Sequence, residues 1–190
     1  MSEEAMGHIC PPSVVKWLNS PLRKLIQNPR EIMGDYVHQD NTVIDLGCGG
    51  GFFAVSLAEM VGKNGRVIAV DLQEEMLNIT RDFAAKKKVL DRITLHQCKE
   101  NDIGLSDDKV DFALAFYMVH EIPDRKRFLS QVVDILKPNA HFMIIEPKHH
   151  VKEDQFKQIL NEAVSAGLEL VKPLKVKGGR GMLLKLGTSK

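Results

Sequence analysis

Val43-Ile44-Asp45-Leu46-Gly47-Cys48-Gly49-Gly50-Gly51-Phe52-Phe53 reads as a strand, a glycine-rich turn and the first turn of a helix. Glycines let such a turn bend tightly and let a ligand approach the backbone, and the following helix presents unpaired amides. That context marks a nucleotide-like ligand site. A dinucleotide loop needs GxGxxG, but counting from Gly47 puts Phe52 at the third glycine position, and Gly51 comes one place early. The Gly-Lys-Ser/Thr of a Walker loop is absent. Asp45 stands two residues before Gly47, where a carboxylate would repel a pyrophosphate but could hold a cationic ligand such as a sulfonium with an ammonium. Asp71, twenty positions beyond Gly51 at the end of the next apolar strand, is placed to accept hydrogen bonds from both hydroxyls of a ribose.

Outward from this loop, short β-branched runs alternate with amphipathic stretches, as in a chain of parallel strands joined by helical crossovers. The candidate strands are 42–44, 66–70, 92–95, 112–116 and 141–145; strands covered on both faces need not alternate in polarity. Phe156, Ile159, Leu160, Ala163 and Val164 recur at helical spacing over Glu153 to Ala166, with acids in the first turn and Gly167 to close it. Phe128, Leu129, Val132, Val133 and Leu136 form a second helical face, which Pro138 is expected to end. Leu168 to Val176 and Met182 to Leu186 flank Lys177-Gly178-Gly179-Arg180, a hairpin signal that makes the last strand antiparallel. Residues 1–40 are cut by Pro11, Pro12, Pro21 and Pro29 into short helical pieces carrying Val14, Val15, Trp17, Leu18, Leu22, Leu25 and Ile26. They are expected to form an arm or lid on the domain of residues 41–190, with Trp17 and Met33 as core contacts. Lys86-Lys87-Lys88 is expected at a solvated helix end.

Composition narrows the function. With 190 residues, 44% apolar and 27% charged, the chain suits one globular domain. Twenty-six basic against twenty-five acidic side chains leave a net charge of +1, which argues against a general nucleic-acid binder. The longest apolar run, Phe112 to Val119, is far short of the roughly 18–20 residues of a spanning helix. The opening Met1-Ser2-Glu3-Glu4 carries no export signal, so a cytoplasmic protein is expected. Cys10, Cys48 and Cys98 include no CxxC pair, which disfavours a disulfide framework or a structural zinc site.

Asp45, Gly47, Gly49 and Gly51 match the acid-x-Gly-x-Gly-x-Gly motif, and the segment resembles the class I S-adenosylmethionine-dependent methyltransferases. Asp111-Phe112-Ala113-Leu114 with Tyr117-Met118-Val119-His120-Glu121-Ile122-Pro123 looks like the family's fourth strand and its loop. Leu136-Lys137-Pro138-Asn139-Ala140 resembles the Leu-Lys-Pro-Gly-Gly turn before the fifth, departing from it at Asn139 and Ala140. The likeness covers roughly residues 30 to 187 and implies an α/β, Rossmann-like, seven-stranded and mostly parallel sheet with an antiparallel last strand. It also implies that Gly47 to Gly51, Cys48 included, lie along the methionine part of S-adenosylmethionine, with Asp71 on the ribose and Leu72 on the adenine. Lys99 and Glu100 fall at the adenine edge, where Cys98-Lys99 replaces a common Gly-Asp pair, and Phe116 falls beside the cofactor at the end of the fourth strand. S-adenosylhomocysteine is the implied product.

A sulfonium is an activated methyl donor, so the protein's work is to align an acceptor and exclude water, with a general base where the acceptor must lose a proton. Tyr117, His120 and Glu121 follow the fourth strand, and Glu146, Lys148, His149 and His150 follow the fifth, at the strand ends where open α/β sheets bind ligands. His120 is the leading candidate for the base, with Tyr117 and Glu146 beside it. Plainer roles stand against each: a loop cap for His120, a structural ion pair or cap for Glu121 and Glu146, and solvated loop positions for His149 and His150. Cys48 reads as a small packing thiol. Cys10 with His8 could bind a soft metalloid, but two ligands do not make a metal site. Short connections after the fourth and fifth strands leave room for a small-molecule acceptor. The basic tail of Lys172, Lys175, Lys177, Arg180, Lys185 and Lys190 raises RNA as an alternative, alongside a protein acceptor, a metalloid or thiol acceptor, and a catalytically silent S-adenosylmethionine-binding module. A dehydrogenase is disfavoured by the glycine spacing and because Glu121, not lysine, stands four residues after Tyr117.

Overall fold

The computed structural model describes Arg23 and residues 26–187. Seven strands, β1 (Thr42–Leu46), β2 (Arg66–Asp71), β3 (Ile93–Gln97), β4 (Val110–Phe116), β5 (Leu136–Pro147), β6 (Leu168–Val176) and β7 (Gly179–Leu186), form one sheet in the order β3-β2-β1-β4-β5-β7-β6. Strands β1 to β5 pair in parallel, and β7 runs antiparallel between β5 and β6. Apolar runs in β1, β2 and β4 are buried almost throughout, because helices cover both faces. Helices α1 (Pro29–Met33), α2 (Phe52–Val61) and α3 (Glu74–Lys86) lie on one side, where Met33, Leu57, Leu77 and Ala84 join Val43 and Phe112 in the core. The other side carries α4 (Arg125–Ile135) and α5 (Glu153–Ser165), whose Leu129, Val132, Ile159 and Leu160 pack with Ile44, Ile68 and Ile144. Strand β6 forms an exposed edge in which Lys172, Pro173 and Lys175 discourage pairing with another sheet.

Several boundaries differ from the sequence expectation. Helix α4 stops at Ile135, before Pro138, because Leu136 already pairs with Val110 of β4. Lys137 then belongs to extended strand, as a residue preceding proline prefers. Asn139 takes φ +67°, so it makes the left-handed bend for which a glycine is common, and asparagine tolerates that conformation. On α5, Val164 turns to solvent at 48% exposure, while Phe156, Ile159, Leu160 and Ala163 form the buried stripe. Met33 is fully buried, Ile26 is exposed, and Lys86, Lys87 and Lys88 lie in solvent at the end of α3. Trp17, Cys10, His8 and the rest of residues 1–22 lie outside the described residues.

This topology decides where a ligand can bind. Helix α2 after β1 and helix α4 after β4 lie on opposite faces, so a crevice opens between the carboxyl ends of these neighbouring strands. The loops after β1 and β4 bring Gly47–Gly51 and Tyr117–Glu121 to that end, where Asp71 is the last residue of β2 and Glu146, expected after the fifth strand, is still within β5 and pairs with Arg180 of β7. A separate surface cleft, lined by Lys109, Asp134, Lys137, Gly167 and Gly187, opens at the opposite end of the sheet. Among the described residues, no helix is long and apolar enough to cross a membrane.

Candidate functional site

Three glycines of the β1–α2 loop adopt left-handed backbone, with φ of +68° at Gly47, +52° at Gly49 and +83° at Gly51. At Gly51 the reason is packing as well as φ: a Cβ there would lie 2.8 Å from Cγ2 and Oγ1 of Thr80 on α3. Thr80 Oγ1 in turn donates to the Gly49 carbonyl at 2.8 Å, fixing the loop's height over α3. Gly49 is different, because a Cβ there would meet nothing within 4 Å, so its outer side faces open space. Asp71 ties the loop to β2: its Oδ2 accepts from the Gly49 amide at 2.8 Å and its Oδ1 from the Gln73 amide at 3.0 Å. Each oxygen retains further acceptor capacity.

Asp45 lies beneath this loop, 2% exposed, and its Oδ2 has no hydrogen-bond partner among the described residues. Burial and the neighbouring charge of Asp71 push its carboxyl up to about 7, against the opposing pull of the Ala54 amide and the Arg23 charge. A buried carboxylate oxygen left in that state costs free energy until a cation or donor meets it.

Leu72 projects beyond Asp71 with 37% exposure, and its carbonyl is held by Gln97 Nε2 at 3.1 Å. Lys99 and Glu100 are exposed in the turn after β3, where Lys99 and Asp102 exchange backbone hydrogen bonds. Burial pushes the Cys98 thiol up to about 11. Cys48 is buried beside Thr80 Oγ1 at 3.8 Å, and burial raises its thiol well above the ordinary value. It is a packing group in the loop and not a thiolate.

At the ends of β4 and β5 lies the group of side chains with acid–base character. Glu146 is fully buried; Oε1 accepts from the amides of Val119 at 2.9 Å and His120 at 3.3 Å, and Oε2 lies 2.5 Å from His120 Nδ1. A carboxylate acceptor on Nδ1 places the proton there and leaves Nε2 as the basic nitrogen. Nε2 sits 3.9 Å from Glu121 Oε1, beyond hydrogen-bonding distance. Burial lowers the affinity of His120 for a proton, but the Glu146 hydrogen bond and the charges of Glu146 and Glu121 outweigh it, so its pKa is raised. Burial likewise lifts Glu121 to about 7, with His120 opposing and Glu146 and Asp71 adding to the rise. His149 and His150 are exposed, their rings 4.5 Å apart and that of His150 6.2 Å from His120.

Phe116 packs between Phe53 and Tyr117, with centroids at 4.2 and 4.3 Å. Tyr117 holds left-handed φ of +63°, and its hydroxyl accepts from Gln27 Nε2 at 3.0 Å. Arg23 and Gln27 were not found by sequence reasoning. Arg23 lies over Phe52, Phe53 and Phe116, with its guanidinium carbon 4.4, 5.3 and 5.7 Å from the ring centroids, and its Nε donates to Gln27 Oε1 at 3.0 Å. No sequence signal singled them out in a segment read for its prolines and apolar positions.

Residues 37–179 match the family model described as "Methyltransferase domain". The chain belongs to that family. It is similar to a SAM-dependent methyltransferase structure from Aquifex aeolicus, at 26% identity and a TM-score of 0.84, covering 94% of this chain and 100% of that one. A TehB-like SAM-dependent methyltransferase from Corynebacterium glutamicum, 14% identical with a TM-score of 0.71 over 93% of this chain and all of that one, shares the fold. Among curated proteins, the chain is 26% identical over 110 residues to the ubiquinone/menaquinone biosynthesis C-methyltransferase UbiE of Marinomonas sp., covering 58% of this chain and 44% of that one. It is 30% identical over 117 residues to the 2-phytyl-1,4-naphtoquinone methyltransferase of Trichormus variabilis, covering 62% and 51%. The methyltransferase domain spans about half the length of these curated relatives.

Proposed function

We propose that this methyltransferase domain moves a methyl group from S-adenosylmethionine to a small-molecule acceptor, with His120 as general base. The observation that carries this reading is the His120–Glu146 pair at the crevice shared with the glycine loop. Two features fit the methyl donor: the buried, unpartnered Asp45 Oδ2 suits an ammonium, and the open side of Gly49 leaves room for the aminoacyl tail against the backbone. Asp71 accepts the ribose hydroxyls on its remaining lone pairs, and Leu72 covers one face of the adenine. Lys99 and Glu100 lie at the adenine edge, while Gly47, Cys48, Gly51 and Phe116 line the tail.

When bound, S-adenosylmethionine supplies a methyl group already activated by its sulfonium. The chain's own residues hold the acceptor and manage its proton. His120 Nε2 takes the proton from the acceptor atom, and Glu146, acting through His120, fixes the tautomer and stabilises the imidazolium that forms. Glu146 is thus a positioning residue. Tyr117, held by Gln27, walls the crevice beside His120. The short loops after β4 and β5 suit a small ligand, and the quinone methyltransferases among its relatives direct the choice of acceptor to hydroxylated aromatic rings, whose ring carbon or oxygen becomes nucleophilic on losing a proton.

The test is transfer of a labelled methyl group to a panel of hydroxylated aromatic acceptors by the wild type and by His120→Asn. Turnover that falls on the order of 10²-fold in the variant, with unchanged affinity for S-adenosylhomocysteine, is the expected result. Full turnover by the variant would remove His120 as the base, and binding with no transfer to any acceptor would leave a silent module.

A further inference from the structure

We propose that Glu121 selects the methyl acceptor by taking a hydrogen bond from a second hydroxyl, next to the one whose proton goes to His120. The acceptor class is then a neutral aromatic ring with two adjacent hydroxyls. This rests on His120 as the base. His120 Nε2 and Glu121 Oε1 lie 3.9 Å apart, too far to bond each other, on side chains that are 24% and 30% exposed. Among the described residues, none donates a hydrogen bond to the Glu121 carboxylate. Both groups stand on one short turn, Val119–Glu121, and that turn is fixed. Glu146 Oε1 accepts from its first two amides, and the Glu121 amide donates to the Met118 carbonyl at 3.0 Å. The turn therefore presents two proton-accepting atoms at a set separation.

A ligand that enters between them displaces solvent, so it must offer a donor to each or leave a half-buried carboxylate unmet. One hydroxyl loses its proton to Nε2 while its oxygen, or the ring carbon it activates, gains the methyl group and S-adenosylhomocysteine is left. The neighbouring hydroxyl keeps its proton and donates to Oε1 at about 2.5–3.0 Å. Hydroxyls on opposite sides of a ring system point apart and cannot reach both atoms. Charge excludes an acid in the second position. Burial lifts the Glu121 carboxyl to about 7, with Glu146 of β5 and Asp71 of β2 adding to the rise and His120 opposing it. Arg125 of α4, whose charge reaches Glu146, is already bound by Glu162 at 2.7 and 3.0 Å. A ring carboxylate placed beside the reacting hydroxyl would meet like charge.

The experiment follows labelled methyl transfer from S-adenosylmethionine by the full chain at pH 8, where Glu121 is ionised. The acceptors are 2,3-dihydroxynaphthalene, 2,6-dihydroxynaphthalene and 3-hydroxy-2-naphthoate, and the proteins are the wild type, Glu121→Gln and Glu121→Ala. The wild type should favour the adjacent diol over its 2,6 isomer on the order of tenfold in kcat/KM, and should use the hydroxy acid least. In Glu121→Ala the preference between the diols should vanish, chiefly through KM. Glu121→Gln keeps a carbonyl acceptor and loses the charge, so it should retain part of that preference while both variants gain on the hydroxy acid. A wild type that treats the two diols alike, variants that keep its ranking, or an equal loss on all three acceptors in Glu121→Ala would overturn Glu121 as the selector and leave His120 as the base. A wild type that binds S-adenosylmethionine and methylates none of the three would overturn both this assignment and the hydroxylated ring as acceptor.

Discussion

Glu146 Oε2 lies 2.5 Å from His120 Nδ1, a contact made across the ends of two neighbouring parallel strands. Its consequence is a pH dependence. His120 titrates above its ordinary 6.5, so the basic form fills as pH rises through that raised value, and kcat should rise with it. Glu146→Gln removes the charge that opposes burial; the inflection should move to lower pH while kcat falls on the order of tenfold. An unchanged inflection would show that Glu146 does not act on the base. The same pair stabilises the fold below about pH 6.5, and that contribution should fade as pH climbs through the raised His120 pKa.

Asp45 has the opposite bearing on stability. A carboxyl lifted from 3.8 to about 7 favours the fold while it is protonated, and that advantage is lost as pH rises from 3.8 through about 7. At pH 8 the ligand-free protein therefore holds an unfavourable buried charge worth no more than about 4 kcal/mol. Asp45→Asn should raise the thermal midpoint at pH 8 and weaken S-adenosylhomocysteine. In the wild type, affinity should fall as pH drops below about 7, because an ammonium needs the ionised carboxylate. Affinity constant from pH 6 to 8 would reject Asp45 as its partner.

Gly51 and Gly49 separate fold from ligand. Gly51→Ala places a Cβ 2.8 Å from Thr80 and should destabilise the protein by about 1–3 kcal/mol in denaturant unfolding. Gly49→Ala has open space and faces only the backbone cost of left-handed φ, about 1–2 kcal/mol, yet should block cofactor binding. Normal affinity in Gly49→Ala would mean that the cofactor does not pass there.

Asp71→Ala strips acceptors from the Gly49 and Gln73 amides and from the ribose. Loss of the ribose contact should weaken S-adenosylhomocysteine on the order of 1–3 kcal/mol, and the thermal midpoint should fall as well. If adenine, which has no ribose, loses as much affinity, Asp71 serves the loop alone.

The glycine loop, Asp45 and Asp71 were legible in the sequence because their geometry is local: one strand, one turn and the end of the next strand. The seven-stranded, mostly parallel sheet and its antiparallel last strand were legible through the family resemblance and the glycine hairpin, whereas the order of the strands came only with the structure. His120 and Glu146 could be named as separate candidates, but their contact depends on how β4 and β5 pair across many intervening residues. Asn139 looked like a departure until its left-handed φ showed it making the bend expected of glycine. Arg23 and Gln27 gave no signal in a segment dominated by prolines and apolar side chains, since their role arises only where that segment meets Phe52, Phe116 and Tyr117.

The most direct measurement is calorimetric titration of the full chain with S-adenosylmethionine and S-adenosylhomocysteine, with NAD as the control. One equivalent of each adenosyl ligand should bind while NAD does not, and Asp45→Asn should weaken that binding while Gly49→Ala abolishes it. Binding of NAD in place of the adenosyl ligands, or full affinity in both variants, would contradict the placement of S-adenosylmethionine in the glycine loop.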